Sequence, residues 1–136
     1  MSYVNIGKVT EELNELAGDK VTKGHEVIEF QAPTEANGYT WYRKYADGWV
    51  EQGGYHSNAG QSSAYTATIN LIIPMANTTY QISRTADKNS IANDPGTRWI
   101  SGANSGSRTT TSFTIFTDQV GYVYGDWWEV KGMYAQ

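Results

Sequence analysis

Asp47-Gly48 lies between two aromatic-rich runs, Trp41-Tyr42-Arg43-Lys44-Tyr45 and Trp49-Val50-Glu51-Gln52-Gly53. No other stretch of the chain constrains the fold as strongly. Asp-Gly supplies the pair of positive φ angles that a type I′ hairpin turn requires. Aromatic and β-branched side chains suit a pleated, half-buried surface. The segment therefore predicts a strand, a tight two-residue turn and a second strand.

The same grammar continues downstream. Glu26 to Gln31 reads as a short strand, broken by the stretch from Pro33 to Gly38. Further strands are expected near 39–45, 49–53, 65–73, 78–85, 111–117 and 122–134, the last with a possible interruption at Gly125-Asp126. In 65–73, Tyr65, Ala67, Ile69, Leu71 and Ile73 share one face, and Thr66, Thr68 and Asn70 the other. Tyr80 and Ile82 alternate with Thr79, Gln81 and Ser83, and Phe113 and Ile115 with Ser112 and Thr114. Strands with one apolar and one polar face belong in an antiparallel sandwich. No helical period separates them, which argues against a parallel α/β fold. The expected fold is thus mainly β, a compact antiparallel β-sandwich of about six strands.

The N-terminal segment differs. Ile6, Val9, Leu13 and Leu16 recur at the a/d spacing of a coiled-coil seam, with Glu11, Glu12, Asn14 and Glu15 between them and Gly18 at a C-cap position. A helix of about twelve residues is marginal alone in water. It is expected to pack on its own domain, to zip copies of the chain together as the coiled-coil stub of an oligomer with these four residues as its seam, or to fray. Residues 1–23 are accordingly a helical stub and connector, and 24–136 the β-sandwich domain.

Composition limits the function. The 136 residues allow one modest domain plus an appendage. Hydrophobic residues make up only 39%, but five Trp and ten Tyr concentrate apolar surface in large rings. Cysteine is absent, which excludes disulfides and thiolate metal sites. The net charge of −4 arises within residues 1–35, which carry seven acids against three bases; the remainder is balanced. Without a basic stripe, neither nucleic acid nor an anionic lipid surface is an expected partner. No apolar run approaches the roughly 20 residues that cross a bilayer, and no export signal is evident.

Catalytic chemistry is hard to assemble. His25 and His56 are the only imidazoles, and no nucleophile elbow, phosphate loop or zinc-protease motif occurs. Carboxylates are plentiful, but nothing local sets the fixed separation that glycoside cleavage needs. No enzyme, no cofactor and no metal is expected; oxygen ligands from Asp87, Asn89, Asn93 and Asp94, or His56 meeting its symmetry mates on a three-fold axis, are the metal alternatives. The stretches 53–63 and 86–108 read as loops, and a loop as long as the second in a small domain commonly carries function. Sugars stack on Trp and Tyr and bond Asp, Asn, Arg and backbone groups. The candidate binding residues are therefore Tyr55, His56, Ser57 and Asn58 in the first loop, Asp87, Asn89, Asn93, Asp94, Arg98 and Trp99 in the second, and Trp127. Trp127 and Trp128 are adjacent on a strand and must face opposite ways. Trp41, Trp49, Tyr80, Phe113 and Trp128 are expected to pack in the core.

Several segments together resemble the C-terminal receptor-binding tips of bacteriophage tail fibres. They are Gly24-His25-Glu26-Val27-Ile28, Trp41-Tyr42-Arg43, the run from Asp47 to Gly54, Thr79-Tyr80 after Ile73-Pro74-Met75, and Trp128-Glu129-Val130-Lys131-Gly132. The resemblance covers roughly residues 24–136. It implies an H-type-lectin-like sandwich that forms a homotrimer at a fibre's distal end. It further implies a virion protein that acts outside the cell, attaching to a bacterial surface glycan or protein without catalysis. It does not designate binding residues. A structural cap that only registers the fibre, or a glycan-active enzyme, are the alternatives.

Overall fold

The computed structural model describes residues 24–88, 103–104, 107–117 and 123–136. Eight strands occur among them: β1 (Val27–Gln31), β2 (Trp41–Tyr45), β3 (Trp49–Ser57), β4 (Tyr65–Asn70), β5 (Gln81–Lys88), β6 (Ala103–Asn104), β7 (Ser112–Thr117) and β8 (Val123–Met133). A 3-10 turn, Glu35–Asn37, links β1 to β2 and is closed by a Thr34/Asn37 capping box. The strands form a five-stranded sheet, β1-β2-β3-β8-β5, and a three-stranded sheet, β4-β7-β6. All their pairings are antiparallel. The mainly β antiparallel expectation is met, with more strands than the six anticipated. The proposed trimer seam Ile6, Val9, Leu13 and Leu16 lies outside the described residues.

The opening hairpin forms, but with a different turn. Only Gly48 takes positive φ, at 92°, and its N–H bonds the Tyr45 carbonyl at 3.1 Å. Asp47 stays on the negative side and instead accepts a bond from the Trp49 N–H through Oδ1, at 3.0 Å. Lys44 pairs with Val50, so three residues, not two, make the loop. This is a turn closed by a left-handed glycine, the next commonest solution after type I′. The reason is tertiary. The Gly48 carbonyl accepts from the Tyr134 N–H at 2.9 Å, docking the turn against the C-terminal segment.

Three other expectations are corrected by long-range pairing. β3 runs to Ser57 because β8 pairs with it from Trp49↔Met133 to Ser57↔Gly125. Gly125-Asp126 does not interrupt β8, since β3 and β5 flank it on both sides there. Trp41 and Trp49 are only half-buried, because their β-positions face away from the second sheet. Tyr80, Phe113 and Trp128 are buried as expected.

The core follows the alternation. Val50, Trp128 and Val130 from the large sheet meet Ile69, Phe113 and Ile115 from the small one, with Met75, Tyr80 and Tyr134 closing one end. Phe113 and Trp128 meet edge to face at 5.8 Å. Each fully buried aliphatic or aromatic side chain here stabilises the fold by about 1.5–3 kcal/mol.

One polar side chain sits among them. Gln52 is completely buried on the inner face of β3. Its Oε1 accepts from the Ile72 and Ile73 N–H groups at 2.8 and 3.0 Å, and its Nε2 donates to the Ile73 carbonyl at 2.8 Å. The connection that leaves β4 has no ladder partners at 72–73, and one amide supplies three of them. Replacing Gln52 by Ala should therefore cost about 2–4 kcal/mol, by leaving backbone groups unsatisfied and opening a void. Urea unfolding of Gln52→Ala measures it; a loss under about 0.5 kcal/mol, the size of an ordinary surface change, would reject the staple role.

Candidate functional site

The positions of β3 and β8 that alternate with the core form the outer face of the large sheet. There Trp127 stands 46% exposed while its neighbour Trp128 is buried, as strand parity requires. Trp127 packs against Tyr55 at 4.6 Å between ring centroids and meets Tyr39 edge-on at 5.8 Å. Tyr39 reaches it from the β1–β2 link, whose tight reversal places Gly38 and Tyr39 both at positive φ, 69° and 59°. Trp41 lies across Gly53, where an added Cβ would come within 2.6 Å of the indole Nε1 and 2.5 Å of the Trp128 carbonyl. Gly53 is thus required for indole and strand to approach this closely. Trp41, Trp127, Ser83, Thr85 and Glu129 line a cleft above Gly54 and Trp128.

Polar groups border these rings. The Tyr55 hydroxyl donates to Asp87 Oδ2 at 2.9 Å, and burial, followed by that carboxylate, pushes its pKa up to about 12. Further along the face, the Tyr45 hydroxyl donates to Glu51, which raises the phenol's pKa above its usual value ahead of burial. His25 stacks flat on Tyr45 at 3.9 Å and bonds Asp47 through Nδ1 at 2.9 Å. That hydrogen bond is the main reason the Asp47 pKa is lowered. Lys131 lies 3.7 Å from Glu51 and 3.4 Å from Glu129, a pairing too solvated to add much stability.

The inner face carries a second polar group, at the end where β3, β5 and β7 finish. Arg84 clamps Asp126 through two bonds, 2.7 and 3.1 Å, with both side chains about 95% buried. Arg84 also reaches across to the Phe116 carbonyl and the Thr117 hydroxyl of the small sheet, at 3.1 and 3.3 Å. A bidentate Arg–carboxylate pair with its remaining donors satisfied is the arrangement a buried charge tolerates. Beside it, His56 Nε2 lies 2.7 Å from the Tyr65 hydroxyl, which donates to Asn58 Oδ1 at 2.6 Å. Burial depresses the His56 pKa, with Asp126 opposing and Arg84 reinforcing the shift.

The structure therefore divides the candidate residues. Tyr55, Asp87 and Trp127 converge on the outer face. His56 and Asn58 turn inward into a hydrogen-bonded chain, and Ser57 is exposed at the end of β3, accepting from the Ala59 N–H at 3.1 Å. Tyr55, His56 and Ser57 are thus strand residues and not a loop. Asn89, Asn93, Asp94, Arg98 and Trp99 lie outside the described residues. Trp41, Tyr39, Ser83, Thr85 and Glu129 were not among the candidates; outward parity marks four of them, but only pairing across β2, β3, β8 and β5 gathers them. Among the described residues, no group of three His, Cys, Asp or Glu side chains has metal-binding geometry, and no helix is long and apolar enough to cross a membrane.

No family model matches the chain, and no curated protein matches its sequence. Among solved structures, the fold is similar to that of an N-truncated R2-type pyocin tail fibre, with a TM-score of 0.50 and 20% sequence identity. The similarity covers 79% of this chain and 39% of that one, so this chain accounts for well under half of the fibre's length. At that identity the likeness is one of fold.

The inner polar group predicts a pH response. Because the folded-state pKa of His56 is below the ordinary 6.5, folding favours the neutral ring. Its contribution to stability is complete above that ordinary value and is lost as pH falls through the depressed one. His56→Gln keeps a donor for Tyr65 but does not titrate. Melting curves at a series of pH values from neutral to mildly acidic should show a shallower fall for this variant than for the parent. Parallel curves would rule out the assignment.

Proposed function

We propose that this chain is the receptor-binding tip of a phage-type tail fibre, attaching a virion to a bacterial surface glycan or protein without catalysis. The observation that carries the reading is the aromatic cluster on the outer sheet face. A sandwich with a purely structural task gains nothing by holding Trp127 and Tyr39 in water, 46% and 40% exposed. Aromatic rings fixed by neighbours and rimmed with polar groups are what recognition surfaces use. The pyocin fibre likeness supports the fibre setting, and an H-type-lectin-like role is consistent with two packed antiparallel sheets.

A homotrimer is part of the proposal. Val27, Ile28 and Phe30 are 48%, 59% and 59% exposed on β1, a sheet edge. An uncovered apolar edge strand is a pairing hazard unless something covers it. It follows directly on residues 1–23, whose Ile6, Val9, Leu13 and Leu16 have the seam spacing, so copies joined there would bring their β1 edges together. The competing reading is a cap that registers a fibre and touches no receptor.

Two measurements test this. Light scattering of the chain should give about three times 15.1 kDa, and a monomer at micromolar concentration would overturn the trimer. The labelled chain should adsorb saturably to some members of a panel of bacterial strains and block virion adsorption to those same strains. Assembly without adsorption to any strain would favour the cap.

A further inference from the structure

We infer that the outer-face cleft between Trp41 and Trp127 is a saccharide subsite that takes one neutral pyranose ring. For its biological partner this rests on the fibre-tip reading; the site itself is argued from geometry. The indole of Trp127 is held on two sides, by Tyr55 at 4.6 Å and Tyr39 at 5.8 Å, yet remains almost half open to water. A ring immobilised before binding loses little entropy when a ligand stacks on it. The C–H face of a pyranose is the apolar surface that matches an indole, and its equatorial hydroxyls need partners at the edge of that contact.

Those partners are in place. Ser83 and Thr85 line the cleft from β5 with exposed side chains, and neither hydroxyl has a hydrogen-bond partner among the described residues. Each can both donate and accept. Glu129, the cross-strand partner of Ser83 on β8, lines it as acceptor, with one oxygen 3.4 Å from Lys131. Aromatic face, two free hydroxyls and one carboxylate therefore surround a single opening. All stand on paired strands, which hold a site more rigidly than loops do.

Charge selects among saccharides. Among the described residues, the one ionisable side chain lining the cleft is Glu129. The Tyr55–Asp87 pair adds a second carboxylate on the same face. Lys131 lies between two carboxylates, and Arg43 is stacked on Trp41 with Cζ 5.2 Å from the ring centroid. Among the described residues that line the cleft there is no cation to receive a phosphate or uronate, which would require one. The subsite is accordingly for a neutral sugar.

The test uses the full chain and a panel of neutral methyl pyranosides, including glucoside, galactoside, mannoside and rhamnoside, with glucose 6-phosphate as the charged control. Tryptophan fluorescence should saturate with at least one neutral glycoside and not with the phosphate. Trp127→Ala should weaken that binding at least about tenfold, and Ser83→Ala combined with Thr85→Val severalfold. The double variant leaves every aromatic contact intact, so it answers the question even if Trp127→Ala loosens the sheet. Thr66→Ala, on the exposed side of β4, should bind as the parent does. No saturation with any neutral glycoside, a preference for the phosphate, or equal binding by both cleft variants would each overturn the subsite. Cell adsorption by the same variants separates the two proposals. Cells bound equally by parent and cleft variants would reject the subsite and leave the fibre tip standing; glycoside binding without adsorption to any strain would do the reverse.

Discussion

The rest of the structure depends on a single buried amide. Gln52 is inaccessible to solvent between the two sheets, and its head group answers three backbone groups of residues 72 and 73. A chain leaving a strand in the interior of a small sandwich exposes N–H and C=O groups with no ladder to receive them. Were those groups unpaired, β4 could not cross over to deliver Met75 and Tyr80 into the core. Because the amide projects from β3, the central strand of the large sheet, it fixes the small sheet relative to the outer face as well. Core packing and the position of the outer-face cleft thus share one anchor.

Around that anchor the interior is divided. One end is apolar, with Val50, Met75, Phe113 and Val130 fully enclosed. The other carries the Arg84–Asp126 clamp and the His56–Tyr65–Asn58 chain, each bridging between elements. The inside–outside pattern already excludes a one-residue slip, and the bidentate charge pair adds a directional constraint to it. The apolar end supplies most of the stabilisation, and the polar end defines one alignment of β5, β8 and the small sheet. That alignment is what brings Ser83, Thr85 and Glu129 beside Trp127.

The motif Trp49-Val50-Glu51-Gln52-Gly53-Gly54 shows how densely such a strand can be written. Val50 is core, Glu51 receives the Tyr45 hydroxyl, Gln52 holds the crossover, Gly53 admits Trp41 and Gly54 lies against Trp128. Alternation of inside and outside was readable here and in β4, β5 and β7, since side-chain direction has a period of two whatever the partner strand. The opposite facing of Trp127 and Trp128 was readable for the same reason. The place of the turn at Asp47-Gly48 is legible in the sequence but its type is not, because the C-terminal segment docks on Gly48 from 86 residues away. His56 lies on a strand and not in the loop its local sequence suggests, because nothing nearby signals that β8 extends its ladder to Ser57.

The sequence by itself determined that this chain is an antiparallel β protein with a strongly aromatic make-up, roughly where most of its strands lie, and which side chains share a face. Those properties follow from local sterics and from patterning over a few residues. Which outward residues meet was decided only by the tertiary structure. Strand order β2-β3-β8-β5 brings Trp41, Trp127, Ser83 and Glu129 together from positions as much as 88 residues apart. No local rule specifies such a meeting, because it depends on which strands pair and in what register. The aromatic richness was written in the composition; its gathering into one cleft was a consequence of pairing.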